Sequence, residues 1–175
     1  MFEIRIHSRG GQGGVTAARL IALAAIRDGK YANAFPFYGA ERRGAPVVSF
    51  VRIDDRPIRI SSQIRQPDMV IVLDASVMDT VDVLAGLKPG GTVLLNSAHA
   101  PDFSGVKSYH VDLTGIALKE KLVVAGSPIL NTPVVGALAK IGIITKDSAI
   151  KAISEMFSDD RNTKAAAAAY QEMRK

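Results

Sequence analysis

The chain opens on an alternating segment, with Phe2, Ile4 and Ile6 on one side and Glu3, Arg5 and His7 on the other. That period of two predicts a half-buried strand. It runs into Ser8-Arg9-Gly10-Gly11-Gln12-Gly13-Gly14, and a helical pattern begins at Val15 or Thr16. The pattern continues through Ala17, Ala18, Leu20, Ile21, Leu23, Ala24, Ala25 and Ile26 until Asp28-Gly29 stops it. So many small residues predict close packing against a sheet. Tyr31 to Phe37 predicts a short extended segment broken by Pro36, followed by a polar loop from Tyr38 to Pro46. Val47–Ile53 and Pro57–Ile60 read as strands around Asp54-Asp55, an antiparallel hairpin with Pro57 opening an edge strand.

Met69 to Leu73 is a continuous apolar run ending at Asp74, the pattern of a central strand covered on both faces. Ser76 is a candidate cap for a short helix through Leu84. Lys88-Pro89-Gly90-Gly91 turns the chain into a buried strand, Thr92 to Asn96. Val106–Val111 predicts another strand and Leu113–Lys121 a helix. Beyond Asn131 strand signals fade. Thr132-Pro133 starts a helix through Ile141, Thr145 caps a helix over Asp147–Phe157, and Asn162–Met173 forms a terminal helix with alanines at 165–169. The expected architecture is α/β: a single three-layer domain over 1–175 with a mostly parallel mixed sheet, an antiparallel hairpin and a helical C-terminal tail. No internal repeat or long linker interrupts it.

Composition narrows the classes. A chain of 175 residues buries about 69% of its extended surface, enough for one core. With 47% hydrophobic and 22% charged residues, disorder is excluded. The formal charge of +5 is mild and spread along the chain, Trp is absent, and no helix-turn-helix or finger spacing occurs. Nucleic acid is therefore not an expected partner. The absence of cysteine excludes a disulfide-built module, a thiol enzyme and a Cys-ligated iron–sulfur carrier. His7, His99 and His110 form no metal-binding spacing. No apolar stretch approaches the ~20 residues that span a bilayer, and the first residues do not read as a signal peptide. The expectation is a cytoplasmic protein without a membrane.

The strongest chemical signal is the glycine-rich turn between the first strand and helix. Glycines admit a ligand to the backbone, and the unpaired N–H groups of the helix attract an anion. Arg9 and Thr16 are candidates to complete a phosphate or acyl-carbonyl site; the alternative is that the glycines serve only a tight turn and close packing. Glycines at 10, 11, 13 and 14 do not satisfy G-x-G-x-x-G, and no G-K-[ST] follows. Tyr38-Gly39-Ala40-Glu41-Arg42-Arg43-Gly44-Ala45-Pro46 is a second candidate, an anionic-ligand or interface loop beside Phe35 and Phe37, or a solvated turn with a local ion pair. Asn131-Thr132-Pro133 is equally a helix cap or a third contact. Asp74 and Asn96 belong at the ends of parallel strands, where they orient a ligand or cap helices. His110 and Asp112 read as structural, and no nucleophile is assigned. From residues alone the chain is a binding or assembly domain.

Taken together, these motifs resemble a known family. His7-Ser8-Arg9-Gly10-Gly11-Gln12-Gly13-Gly14-Val15-Thr16-Ala17-Ala18 is similar to the opening of the gamma subunit, or gamma domain, of 2-oxoacid:ferredoxin/flavodoxin oxidoreductases. Phe35 to Pro46, Pro67-Asp68, Gly90-Gly91 before Asn96, and Asn131 to Leu138 follow in family order and cover nearly the whole chain. The resemblance implies a noncatalytic-looking part of a complex that oxidatively decarboxylates a 2-oxoacid to an acyl-CoA and passes electrons to ferredoxin or flavodoxin. Thiamine diphosphate, Mg2+ and 4Fe-4S clusters would be held by partner subunits of the alpha, beta and delta types. Coenzyme A would be a co-substrate whose approach this chain helps to shape.

Carried over, Arg9, Gly10, Gly11, Gln12, Gly13 and Thr16 are the cofactor-side candidates of the first loop. Glu41, Arg42 and Arg43 are those of the second, and Asn131 and Thr132 those of the third. The family commonly has glycine where Ser8 stands and often a larger residue where Gly14 stands. Ser8 is then expected to limit the positive-φ freedom of the first turn and Gly14 to restore flexibility at the helix entry. The five-alanine helix and the Phe35/Phe37 region are expected to pack on partner subunits. The rival reading is a stand-alone nucleotide- or small-molecule-binding module.

Overall fold

The computed structural model describes residues 1–37, 44–100 and 102–175. The loop carrying Glu41, Arg42 and Arg43 lies outside the described residues.

Six strands form the main sheet: β1 (Phe2–Arg9), β2 (Tyr31–Phe37), β3 (Pro46–Asp54), β4 (Met69–Val72), β5 (Thr92–Asn96) and β6 (Lys107–Val111), in the order β2-β3-β1-β4-β5-β6. The pairings of β1 with β4, β4 with β5 and β5 with β6 are parallel, whereas β3 is antiparallel to both β1 and β2. The sheet is thus mixed and mostly parallel. Pro36 does not break β2, because among the described residues β2 is an edge strand paired with β3 alone, Pro36 lying opposite Ser49. The hairpin expected around Asp54-Asp55 does not form. Both edges of β3 are already taken by β1 and β2, so Pro57–Ile60 stays irregular. The Ile60 carbonyl instead accepts from Asn33 Nδ2 at 3.0 Å and from Arg52 Nη1 at 3.3 Å.

One face of the sheet is covered by helices: α1 (Gly14–Arg27), α2 (Leu113–Lys119), α3 (Asn131–Ile141), α4 (Lys146–Met156) and α5 (Arg161–Glu172). Ile4, Ile6, Val51, Met69, Ile71 and Leu94 meet Leu20, Ile21, Val134, Leu138 and Ile153 in the main core. Thr145 caps α4 as expected, accepting from the Ser148 N–H at 3.2 Å. Its own N–H and hydroxyl donate to Asp28 at 2.8 and 2.6 Å, joining the end of α1 to the start of α4. Ala165, Ala166 and Ala169 are buried inside this chain, where α5 packs chiefly on α3, while Ala167 and Ala168 are half-buried.

The other face carries a smaller cluster of Val70, Val72, Val77, Val83, Val93 and Leu95. Its cover is irregular chain together with a 3₁₀ turn, Ala75–Asp79. That turn is shorter than the predicted helix to Leu84, and Asp74 rather than Ser76 caps it. A two-stranded hairpin, β7 (Val123–Val124) with β8 (Ser127–Pro128), precedes α3 where the sequence pattern predicts no strand. No helix among the described residues is long and apolar enough to cross a membrane.

Candidate functional site

The parallel strands β1, β4 and β5 end along one side of the sheet, and the residues just beyond them form a connected polar network. After β1 the chain turns through Gly11 (φ 98) and Gly13 (φ 86), backbone values that side chains with a Cβ rarely adopt. Gly13 caps α1 without a side-chain bond, and no acceptor among the described residues reaches the N–H groups of Gly14, Val15 or Thr16. These donors lie beside a cavity of about 270 Å³ lined by Ser8, Arg9, Gly10, Gly11, Gly13, Gly14, Val15 and Val47. A glycine-rich backbone at a helix N-terminus favours negative charge there.

Gly14 is required for a different reason from Gly13. A Cβ at position 14 would fall 2.3 Å from Ser8 Oγ and 2.9 Å from Ser8 Cβ. Neither Ser8 nor Gly14 has a positive φ, so their relation is one of space, not of backbone freedom as the sequence suggested. Ser8 fills what a larger residue at 14 would occupy.

Arg9 is committed within the chain. Its Nε donates to Ser76 Oγ at 2.8 Å, Nη2 to the Ser76 carbonyl at 3.1 Å and Nη1 to the Gly44 carbonyl at 2.9 Å. The Gly10 N–H donates to the Ala45 carbonyl at 2.9 Å, and the Gly44 N–H to the Gly10 carbonyl at 3.1 Å. The glycine turn is therefore stitched to the residues where the Glu41-Arg42-Arg43 segment rejoins the described chain. Gln12 closes the turn from inside: Oε1 accepts from the Arg9 N–H at 2.8 Å, and Nε2 donates to Asp74 Oδ2 at 2.7 Å.

Asp74 also accepts from the Ser76 N–H at 3.0 Å and the Ser76 hydroxyl at 2.6 Å, while Arg9 Nε stands 3.8 Å from Oδ2. Burial pushes its carboxyl up, but the bonds from Ser76 and Gln12 and the Arg9 charge outweigh it, and the net shift is downward. Asn96 is occupied structurally, Nδ2 donating to the Leu73 carbonyl at 2.8 Å and to Thr114 Oγ1 at 2.9 Å. Asp112 caps α2 through the Gly115 N–H at 2.7 Å.

Asn131 and Thr132 open α3 beside the same turn. The Gln12 carbonyl accepts from the Leu130 N–H at 2.9 Å, and the Asn131 side chain packs under Gly13. Asn131 Oδ1 accepts from the Thr132 N–H at 2.8 Å. Thr132 is fully buried, its hydroxyl donating to Asn162 Oδ1 at 3.3 Å. Thus Arg9 to Gly13 and Asn131 converge, Thr132 turns into the helical layer, and half-buried Thr16 does not line the 270 Å³ cavity.

A second cavity, about 430 Å³, lies on the loop-covered face against Arg5, His7, Phe37, Val48, Phe50 and Ile64. His7 Nε2 accepts from Arg5 Nε at 3.1 Å, and burial, reinforced by the Arg5 charge, lowers the imidazole to about 4. A larger depression, about 750 Å³, opens at the opposite end of β1 beside Glu3, Arg52 and Arg65 and touches none of the glycine motif. Sequence reasoning missed the burial of Arg5 and His7, because alternation marks them as the polar side and says nothing of the irregular cover. It also divided Asp74 between two roles, although Asp-x-Ser spacing is itself a turn signal.

A family model described as pyruvate ferredoxin/flavodoxin oxidoreductase matches residues 3–172. The chain belongs to this family. Within the pyruvate ferredoxin/flavodoxin oxidoreductase family it is 51% identical to the pyruvate synthase subunit PorC of Methanothermobacter marburgensis, over 99% of this chain and 98% of that one. It is 51% identical to the pyruvate/ketoisovalerate oxidoreductases common subunit gamma of Thermococcus kodakarensis, over 97% and 96% of the two chains. The crystal structure of the pyruvate oxidoreductase subunit PORC from Thermotoga maritima matches with a TM-score of 0.84 at 36% identity, covering 99% of this chain and 97% of that one. Like these family members, the chain is a subunit of a multisubunit oxidoreductase.

Proposed function

We propose that residues 1–175 are a single gamma-type domain, the gamma subunit of a complex that oxidatively decarboxylates a 2-oxoacid of the pyruvate class to an acyl-CoA. Electrons pass to ferredoxin or flavodoxin, and the other subunits are of the alpha, beta and delta types. The near full-length identity to relatives named as PorC and gamma subunits carries this reading. The Thermococcus relative is named as common to pyruvate and ketoisovalerate oxidoreductases, which supports placing substrate choice outside the gamma subunit.

The chain's own donors do not fit the redox groups of the family. It has no cysteine, and the described residues contain no group of three His, Asp or Glu able to hold a metal. In this reading the iron–sulfur clusters and thiamine diphosphate are held by the partner subunits.

Its role is at the coenzyme A approach. The N-terminus of α1 lies beside the cavity lined by Gly10, Gly11, Gly13 and Gly14 and suits an anionic group. Arg9 holds the turn in place because its guanidinium is already shared with Ser76 and Gly44. The cationic contact to the anion is assigned to Arg42 and Arg43, next to Gly44 in sequence. In the assembled enzyme, Arg42→Ala should raise the KM for coenzyme A roughly tenfold while early thiamine-adduct formation proceeds at the parent rate. Loss of assembly without that kinetic change assigns Arg42 to an interface instead.

A further inference from the structure

The geometry points to Asp74 as a positioning residue that sets the glycine turn and the Gly44 anchor together, acting through Gln12 and Arg9. The inference rests on the coenzyme A reading above for its kinetic consequence, but its structural content stands on the hydrogen bonds alone. One carboxylate joins two chain segments directly and a third, at Gly44, through Arg9. Oδ1 takes the N–H and hydroxyl of Ser76, fixing the 3₁₀ turn after β4. Oδ2 takes Gln12 Nε2 at 2.7 Å, and this fixes which way the Gln12 amide faces. With its nitrogen on Asp74, Gln12 must present Oε1 to the Arg9 N–H, the bond that curls Arg9 to Gln12. Ser76, held by Asp74, in turn receives Arg9 Nε and Nη2, leaving Nη1 for the Gly44 carbonyl.

The charge of Asp74 is therefore used as an acceptor on both oxygens, which an isosteric amide cannot reproduce. In Asp74→Asn, an amide nitrogen facing Gln12 Nε2 sets donor against donor. Gln12 must then flip, and it loses the Arg9 N–H. The remedy is a transposition of amide and carboxylate, Asp74→Asn/Gln12→Glu. The amide introduced at position 74 donates to one oxygen of the carboxylate introduced at position 12, whose other oxygen accepts from the Arg9 N–H. Ser76 keeps its acceptor and Arg9 keeps a nearby carboxylate. Gln12→Glu alone places two carboxylates at hydrogen-bond distance and should disturb the turn as much as Asp74→Asn.

The test compares the three variants in the assembled complex, after native mass spectrometry shows equal assembly. Each single substitution should raise the KM for coenzyme A roughly tenfold, the size of one lost hydrogen bond to a charged group, with a smaller change in kcat. The double variant should return toward the parent value. A double variant no better than the singles overturns the inference. So does an unchanged KM in Asp74→Asn when Arg42→Ala raises it. If neither Asp74 nor Arg42 affects coenzyme A, the coenzyme A reading fails. The positioning claim is then decided by the backbone amide resonances of Gly10, Gly11 and Gly13 in the full chain. Their displacement in Asp74→Asn and return in the double variant supports it, and unmoved resonances overturn it.

Discussion

The two faces of the sheet are built on different principles. The helix-covered face buries Ile4, Ile6, Val51, Ile71 and Leu94 against helices rich in alanine, and α3 meets α5 at the Gly136 and Ala166 backbones. The loop-covered face buries a six-residue apolar cluster and, beside it, Arg5, His7 and Arg52, each at most 9% exposed. The first face derives its stability from close packing. The second holds charge out of water, which requires partners: Arg5 Nη2 donates to the Val83 and Ala85 carbonyls at 2.9 and 2.6 Å, and Arg52 Nε to Glu3 Oε1 at 2.8 Å. The same sheet thus has one side sensitive to volume and one sensitive to protonation.

The sharpest way to break the packed side is at Gly136. A Cβ there would lie 1.9 Å from the Ala166 carbonyl oxygen, a backbone atom that cannot swing aside. Gly136→Ala should therefore cost ~3 kcal/mol, parting α3 from α5, and lower Tm by roughly 6–12 °C in calorimetry.

On the charged side the corresponding lever is pH. The folded His7 titrates at about 4 against an ordinary value of 6.5, so the unfolded chain binds its proton first. Its contribution is fully present above pH 6.5, falls as pH drops, and is lost by about pH 4. The total is on the order of 3 kcal/mol at most. Urea titrations from pH 7 to 4 should show a shallower loss of stability in His7→Gln than in the parent; parallel curves would contradict the assignment.

A smaller effect belongs to the boundary between the two regimes, where Ser8 faces α1. Gly14→Ala should destabilise by ~2 kcal/mol through the Ser8 clash. Ser8→Gly/Gly14→Ala should recover ~1 kcal/mol or more of that, read as coupling in a double-mutant cycle. Additive single effects would show that the two positions do not share space.

Much of this contrast is visible in the sequence, but unevenly. The continuous apolar run Met69–Leu73 and the glycine turn after β1 mark the central strands and the site, because period and turn chemistry are local. The small residues of α1 and α5 announce close packing, though only the structure shows that Ala165, Ala166 and Ala169 pack within the chain. Pro57–Ile60 has the residues of a strand and fails to be one because β3 has no free edge, a property of topology. The β7–β8 hairpin, two residues per strand, is too short to leave a periodic trace. At the site, Arg9 to Gly13 and Asn131 are legible as residue types. Which of them faces a ligand and which holds the turn is not, since Arg9's partners Ser76 and Gly44 come from distant segments.

A gamma subunit of a 2-oxoacid oxidoreductase complex should leave the cell with its partners, and native mass spectrometry of the protein isolated without oxygen from its own cells would show them. The expected species is a hetero-oligomer in which partner subunits carry thiamine diphosphate and iron–sulfur clusters. A cofactor-free monomer or homo-oligomer that persists under gentle low-salt isolation would contradict it.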